Sequence, residues 1–385
     1  MPLLTRRRTI LAKIETTYGT DSIPTGAADA VLVRSLEITP LESEFASRDL
    51  IRVFMGNSEQ LPVGIRAQMT IEIEMAGSGT AGTAPAYDAL MRACGLSRTL
   101  LATTHGGTAA AAASNTITLA AAASASNDVY NGQVIRIASG TGNGQARVIT
   151  AYNGTTKVAT VSPAWSTIPT GAVYSIDAQV TYVPRSTGFE SSTLYFSVDG
   201  VRHRMTGCRG NMVIEMNNKA IPVFRYTLTG IYNAVTDTAD PVANYGAFRT
   251  PLPVTNINTT PFRLHDVLPI MSQMSIDLNN NIVHRTLVGG AESVLLTDRA
   301  PSGQITIEAD NIAFKDWFTV ARNATLGDLN ITHGTVAGNI VQIVSGTVQV
   351  TGPQYQDMDG IHMLQMNMNL VPGSVGNDEL CIVVR

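Results

Sequence analysis

A stretch that occurs twice sets the strongest limit on how this chain can fold. The first copy runs from Leu36 to Gly95 and the second from Met274 to Gly327. Each opens on a short alternating segment, Leu36-Glu-Ile38-Thr in one and Met274-Ser-Ile276-Asp in the other. Phe45-Ala-Ser-Arg48-Asp-Leu50 then answers to Ile282-Val-His-Arg285-Thr-Leu287, and Thr70-Ile71-Glu72 to Thr306-Ile307-Glu308. Both copies close on a helix-like run, Ala86 to Gly95 and Ile312 to Gly327. The segments ahead of the helix recur in order at offsets of 236 to 238 residues, and with the helix-like run after them they mark a duplicated β-hairpin-plus-helix unit. Ile221-Pro-Val-Phe-Arg-Tyr-Thr-Leu-Thr also resembles Ile361-His-Met-Leu-Gln-Met-Asn-Met-Asn, so returning strands belong to the repeat.

The predicted fold is mainly β: two tandem β-sandwich/hairpin units, each with a flanking helix, and one inserted small β domain. Residues 1–30 form an irregular or extended arm. Residues 31–100 and 176–235 form the first unit, 101–175 the insertion, 236–269 a linker and 270–385 the second unit. The long hairpin has arms at Phe45–Met55 and Gly64–Met75, with Gly56-Asn-Ser-Glu-Gln at its tip. On the second arm Met69, Ile71, Ile73 and Met75 share one face and Thr70, Glu72 and Glu74 the other, because side chains alternate along a strand. The insertion announces itself by composition. A Gly/Ala/Thr-rich linker from Thr103 to Ala113 leads into five short strands punctuated by Asn131-Gly132, Gly140-Thr-Gly-Asn-Gly144 and Asn153-Gly154.

Several function classes fall away. Net charge is −4, so no basic footprint for tight nucleic-acid binding exists. Charged residues make up 15%, against roughly a quarter in ordinary globular chains, and composition of that kind suits an assembly and a small-residue-rich β protein equally. Cys94, Cys208 and Cys381 form no disulfide or zinc pattern and suit a reducing compartment. The apolar run after Arg6-Arg-Arg8 is too short for a signal peptide, and no stretch is apolar enough to span a membrane. Gly140-x-Gly-x-Gly144 lacks the lysine and helix of a phosphate loop and reads as a hairpin turn. The six histidines show no metal-ligand spacing, Asp357-Met-Asp359-Gly360 lacks the later ligands of a calcium loop, and no Gly-x-Ser-x-Gly elbow occurs. No catalytic, cofactor-binding or metal-ligating set emerges, and the chain is read as no enzyme. A β-rich surface or carbohydrate-binding adhesion protein is the alternative, opposed by two Trp and an aromatic content of 6%.

The order of an N-terminal arm, a long hairpin, a helix around Tyr87–Cys94 and returning strands resembles the tail tube (major tail) proteins of long-tailed bacteriophages. This resemblance implies tail-tube-type units in stacked rings, whose inner strands close one barrel around a channel for DNA during ejection. With two units per chain, it implies a trimeric ring of pseudo-sixfold symmetry, the alternative being a hexamer. The implied partners are further copies of itself, the tape measure, tail terminator and distal tail proteins, and DNA in transient, non-specific passage. No membrane is involved; the protein would be assembled in the bacterial cytoplasm and end in the virion tail, with the insertion outside the tube. Within that geometry Glu72 and Glu74 point into the lumen, Glu308 is the counterpart of Glu72, and Arg48 and Arg52 on the opposing arm partly neutralise them.

Overall fold

Alternating apolar and polar residues dominate the chain, and strands dominate the fold. The computed structural model describes residues 3–373 and 376–385. The arm contains a strand, β1 (Arg8–Ile14), which pairs with the short β2 (Ala30–Val31) and buries Ile10, Leu11 and Ala12. The long hairpin follows as β3 (Ser35–Ser47) and β4 (Gln60–Glu74), then helix α1 (Asp88–Ala93) and β5 (Leu96–Leu101). Next come β6 (His105–Thr108), β7 (Ala111–Ala113), β8 (Thr116–Thr118), β9 (Val134–Ser139), β10 (Ala146–Asn153), β11 (Val158–Ser162) and β12 (Val173–Ile176). The chain returns through β13 (Gln179–Pro184), β14 (Ser192–Val198), β15 (Val201–Asn217) and β16 (Val223–Asp237). Beyond a stretch without regular structure lie β17 (Thr259–Leu264), β18 (Met271–Asp277), β19 (Asn280–Arg285), β20 (Ser293–Arg299) and β21 (Ser302–Glu308). Helix α2 (Trp317–Arg322), β22 (Leu326–His333), β23 (Val341–Met358), β24 (Ile361–Leu370) and β25 (Cys381–Val384) complete the described residues.

One sixteen-stranded sheet holds most of these elements. Its centre is a run of eight antiparallel strands in the order β3-β4-β16-β15-β18-β21-β24-β23. Each half of that run has one pattern: a strand, its hairpin partner, then two later strands in reversed order. β15 and β23 are long enough to leave the central run. The first half of β15 continues into β14 and β1, and the first half of β23 into β22 and β25. The apolar faces meet in one core, with Met69, Ile71, Met212, Ile214, Tyr226, Ile276, Ile305 and Met366 at its heart. Asp199-Gly200 and Asp359-Gly360 turn β14 into β15 and β23 into β24, both residues of each pair having positive φ, as type I′ turns require.

Several boundaries differ from the sequence reading. The hairpin arms are Ser35–Ser47 and Gln60–Glu74, so residues 48–59 form a loop rather than strand. The expected helices shrink to six residues each, and Leu326 and Gly327 already belong to β22. The Thr103–Ala113 linker carries β6 and β7, because its backbone finds partners in β12 and β8. Cross-strand pairing, which local composition does not report, decided these segments.

Strands β6 to β12 form a separate seven-stranded sheet with a core of its own, including Ile117, Ile135, Ile149, Tyr152 and Tyr174. This module does not hang free. Val134, Ala146 and Val148 pack on Val344, Cys381 and Val383, sealing a small apolar interface. Arg147 Nη1 reaches Asp328 Oδ2 at 3.3 Å with both side chains 3% exposed, and Arg263 Nε meets the same oxygen at 3.1 Å. Asp177 receives Arg136 at 2.7 Å and Arg385 at 2.6 Å. Burial works to raise the Asp177 pKa, but hydrogen bonds from Arg136 and Ser175 and the Arg385 charge outweigh it, holding it below the ordinary 3.8. A depressed carboxyl pKa contributes stability above the unfolded value that is lost as pH falls through the folded value. The urea midpoint of wild type should therefore drop below about pH 4 more steeply than that of Asp177→Asn, which lacks this titration; parallel curves would exclude the clamp.

Candidate functional site

The polar face of the central eight strands is the most extended feature of the described residues. One row of opposed residues crosses all eight: Ser35, Glu72, Arg225, Val213, Asp277, Ser302, Asn369 and Gln349. A second runs through Glu74, Val223, Glu215, Ser275, Gln304, Asn367 and Thr351. Side chains at these positions are half-buried to exposed apart from Val223, while their neighbours along each strand are mostly core residues. The face thus follows from period-two alternation carried across eight strands in register.

Its chemistry divides into two halves. On β3, β4, β16 and β15 the face is charged. Glu72 Oε1 lies 3.4 Å from Arg34 Nη1 and its other oxygen accepts from Ser35 Oγ at 3.2 Å, while Arg225 pairs with Glu215 at 3.1 Å. On β18, β21, β24 and β23 it is mostly amide and hydroxyl. Gln273 Nε2 donates to Thr306 Oγ1 at 3.1 Å, and Asn211 Nδ2 reaches across the midline to Asp277 Oδ1 at 2.6 Å. Across both halves the carboxylates Glu37, Glu72, Glu74, Glu215, Asp277 and Glu308 outnumber Arg34 and Arg225, and further along the same face of β4 Arg66 is matched by Glu42 and Glu44, so the surface is net acidic.

The sequence-predicted residues separate on this surface. Glu72 and Glu74 share the polar face of β4, flanking core residue Ile73. Glu308 ends β21 on the same face, but its equivalence changes. Ile71 stands in the row of Leu36 and Tyr226, and Ile305 in the row of Met274 and Met366. Ile71 therefore corresponds to Ile305, Glu72 to Thr306 and Glu74 to Glu308. The Thr-Ile-Glu identity slipped the alignment by two residues, a shift that preserves faces and so escapes a pattern reading. Arg48 and Arg52 do not oppose Glu72 and Glu74. Arg48 pairs with Glu59 and Arg52 lies over the Phe54 ring at 5.8 Å, both in the loop beyond Ser47 and Gln60. The guanidinium groups that do meet these rows, Arg34 and Arg225, went unnoticed. Alternation in Val223-Phe-Arg-Tyr-Thr-Leu was the available signal for Arg225, whereas Arg34 precedes its strand and has none.

Among the described residues no cluster of three or more His, Cys, Asp or Glu is placed to hold a metal ion, and no helix is long and apolar enough to cross a membrane. Cys94, Cys208 and Cys381 are free and buried, and burial pushes each thiol pKa up. What the fold defines is a β-rich protein with a long polar sheet face. Residues 5–359 match the family described as "Phage tail tube protein", and the chain belongs to that family, whose members are structural rather than catalytic. No match was found among curated proteins.

Proposed function

We propose that this chain builds the tail tube of a long-tailed phage, with three copies closing each ring and the polar face of the central strands lining a DNA channel. The observation that carries this reading is the stagger of the eight strands. Following the ladder from Glu72 across four strands leads to Ser302, whereas the equivalent residue on β21 is Thr306, four positions on. Ser35 leads to Asp277 in the same way, against its equivalent Gln273. A stagger of four residues for four strands is the ratio at which an eight-stranded barrel of shear eight closes, with strands tilted about 36°. Three chains would supply twenty-four strands of the same tilt, about 45 Å across between backbones at a strand spacing of ~4.8 Å. Six chains would double the strand number, which disfavours a hexamer.

In this reading residues 31–100 with 176–235, and 270–385, are the two tube units, joined by 236–269. The arm 1–30 braces the first unit, and the 101–175 module decorates the exterior of the second. Rings stack into a tube that meets the tape measure, terminator and distal tail proteins, assembled in the host cytoplasm and carried in the virion. The acidic and amide lining suits passage of a polyanion. Each cation bound to phosphate would release counterions and retain DNA, whereas carboxylates give DNA nothing to release. Electron microscopy of the purified protein should show tubes or rings; a compact monomer at all concentrations in sedimentation would overturn the reading.

The lining itself is testable. Glu72→Lys would set a third cation beside Arg34 and Arg225 and cost stability, so Glu74→Lys/Glu308→Lys is the cleaner pair. It adds six lysines per ring at equivalent heights. Tubes should assemble as before while DNA leaves the virion more slowly and with stronger salt dependence; unchanged release kinetics would place this face outside the channel.

A further inference from the structure

We propose that the joint between neighbouring copies of this chain repeats, strand for strand, the joint inside one copy. The inference rests on the ring reading above and adds to it the partner surfaces and their register.

Inside the chain the two halves of the central run meet where β15 pairs with β18: Ile214 stands opposite Ile276 and Glu215 opposite Ser275. The hairpin β19-β20, which grows out of the second half, folds back over the first. Val294 and Leu296 are buried there, Asn280 Nδ2 donates to the Cys94 and Gly210 carbonyls at 2.8 and 2.9 Å, and Arg209 Nη1 to the Val294 carbonyl at 2.8 Å.

The outer ends of the run offer the same parts without a partner. β3 pairs only with β4, and beyond Gln349 the outer edge of β23 pairs with nothing among the described residues. These are long unpaired edges of the kind that a stable protein covers. The hairpin arm that grows out of β3 and β4 exposes Leu41, Phe45, Leu50, Phe54, Leu61 and Val63, where its counterpart β19-β20 buries Val294 and Leu296. At the other end Tyr355 is 61% and Phe318 41% exposed, their rings 5.6 Å apart, with Met358 and Ile361 bare beside them. Helix α2 buries only Trp317, whereas α1 buries four residues. An apolar arm at one end and an aromatic shelf at the other, each matching one side of a contact already made within the chain, identify the occupant as a second copy. This head-to-tail contact is heterologous, the kind that forms a ring when the rotation between copies closes, as the ring reading requires.

Equivalent residues fix the register. Ile276 corresponds to Ile38 and Ser275 to Glu37 through their shared ladder rows. Ile214 corresponds to Tyr355 and Glu215 to Gln356, after a one-residue bulge in β23 between Thr351 and Gln354. Tyr355 of one copy should therefore lie opposite Ile38 of the next, and Gln356 opposite Glu37. Directly opposed residues have Cβ atoms about 4.5–5.5 Å apart, close to disulfide reach.

The test is Glu37→Cys/Gln356→Cys in the full chain, oxidised mildly and run on a non-reducing gel, with electron microscopy of the same sample. Native cysteines are buried and should not compete. Covalent dimers and trimers, with nothing larger and none from either single variant, are expected. Rings with no disulfide here, but one in Glu37→Cys/Gln349→Cys, would overturn the register while leaving the tube reading standing. Absence of rings in the wild type would instead overturn the tube reading. Tyr355→Asp offers an independent check: it should sediment as a monomer with an unchanged melting temperature, and persistent rings would refute the shelf.

Discussion

Replacing Asp328 with alanine should lower the unfolding free energy by about 3–5 kcal/mol, the largest single-residue loss expected in this chain. The carboxylate is 3% exposed and holds Arg147 at 3.3 Å and Arg263 at 3.1 Å, and it accepts the Asp266 amide at 3.1 Å. Burial, joined by the Arg263 charge, pulls the Arg147 pKa down from the ordinary guanidinium value, and Asp328 is the main charge that opposes it, with Asp266 behind it. Without Asp328, a buried guanidinium is left with neutral acceptors, the Ala146 and Ala164 carbonyls, Gln145 Oε1 and Ser166 Oγ, and with the Trp165 ring, over which it lies at 5.8 Å from the centroid. Arg147→Met/Asp328→Leu should be less destabilised than Asp328→Ala, because it removes both buried charges and fills the space with carbon. Urea midpoints for wild type, both single variants and the double variant measure the coupling. Additive losses would show that the pair does not act as a unit.

Excision of residues 102–178 should leave the tube but weaken the chain. Leu101 and Gln179 are direct partners on β5 and β13, so a tight turn can join them without disturbing either strand. The module docks on the outer parts of β23 and β25, away from the free edge of β23 beyond Gln349 and from β3. Its removal bares Val344, Cys381 and Val383, and at roughly 1.5–3 kcal/mol per fully buried apolar side chain the loss approaches several kcal/mol. The expected outcome is a lower urea midpoint with tubes still visible. A folded excision variant that forms no tubes would place the module in the tube wall.

The sequence by itself determined the faces and the punctuation. Alternation from Met69 to Met75 assigned core and polar sides that the burial pattern matches, and Gly140–Gly144 turns β9 into β10 as a Gly-rich hairpin should. These are local properties: side-chain direction has a period of two, and positive φ favours glycine wherever it occurs. Tertiary structure alone decided who lies next to whom. Nothing local places β16 between β4 and β15, sets β15 against β18, or turns Arg8–Ile14 into a partner of Ser192–Val198. Nor does it distinguish Glu74 from Glu72 as the counterpart of Glu308, since a two-residue slip keeps every side chain on its own face. Arg34 and Arg225 join the polar site for the same reason: the ladder, fixed by contacts distant in the chain, brings them to Glu72 and Glu215, while Arg48 and Arg52 stay in the loop their own neighbours form.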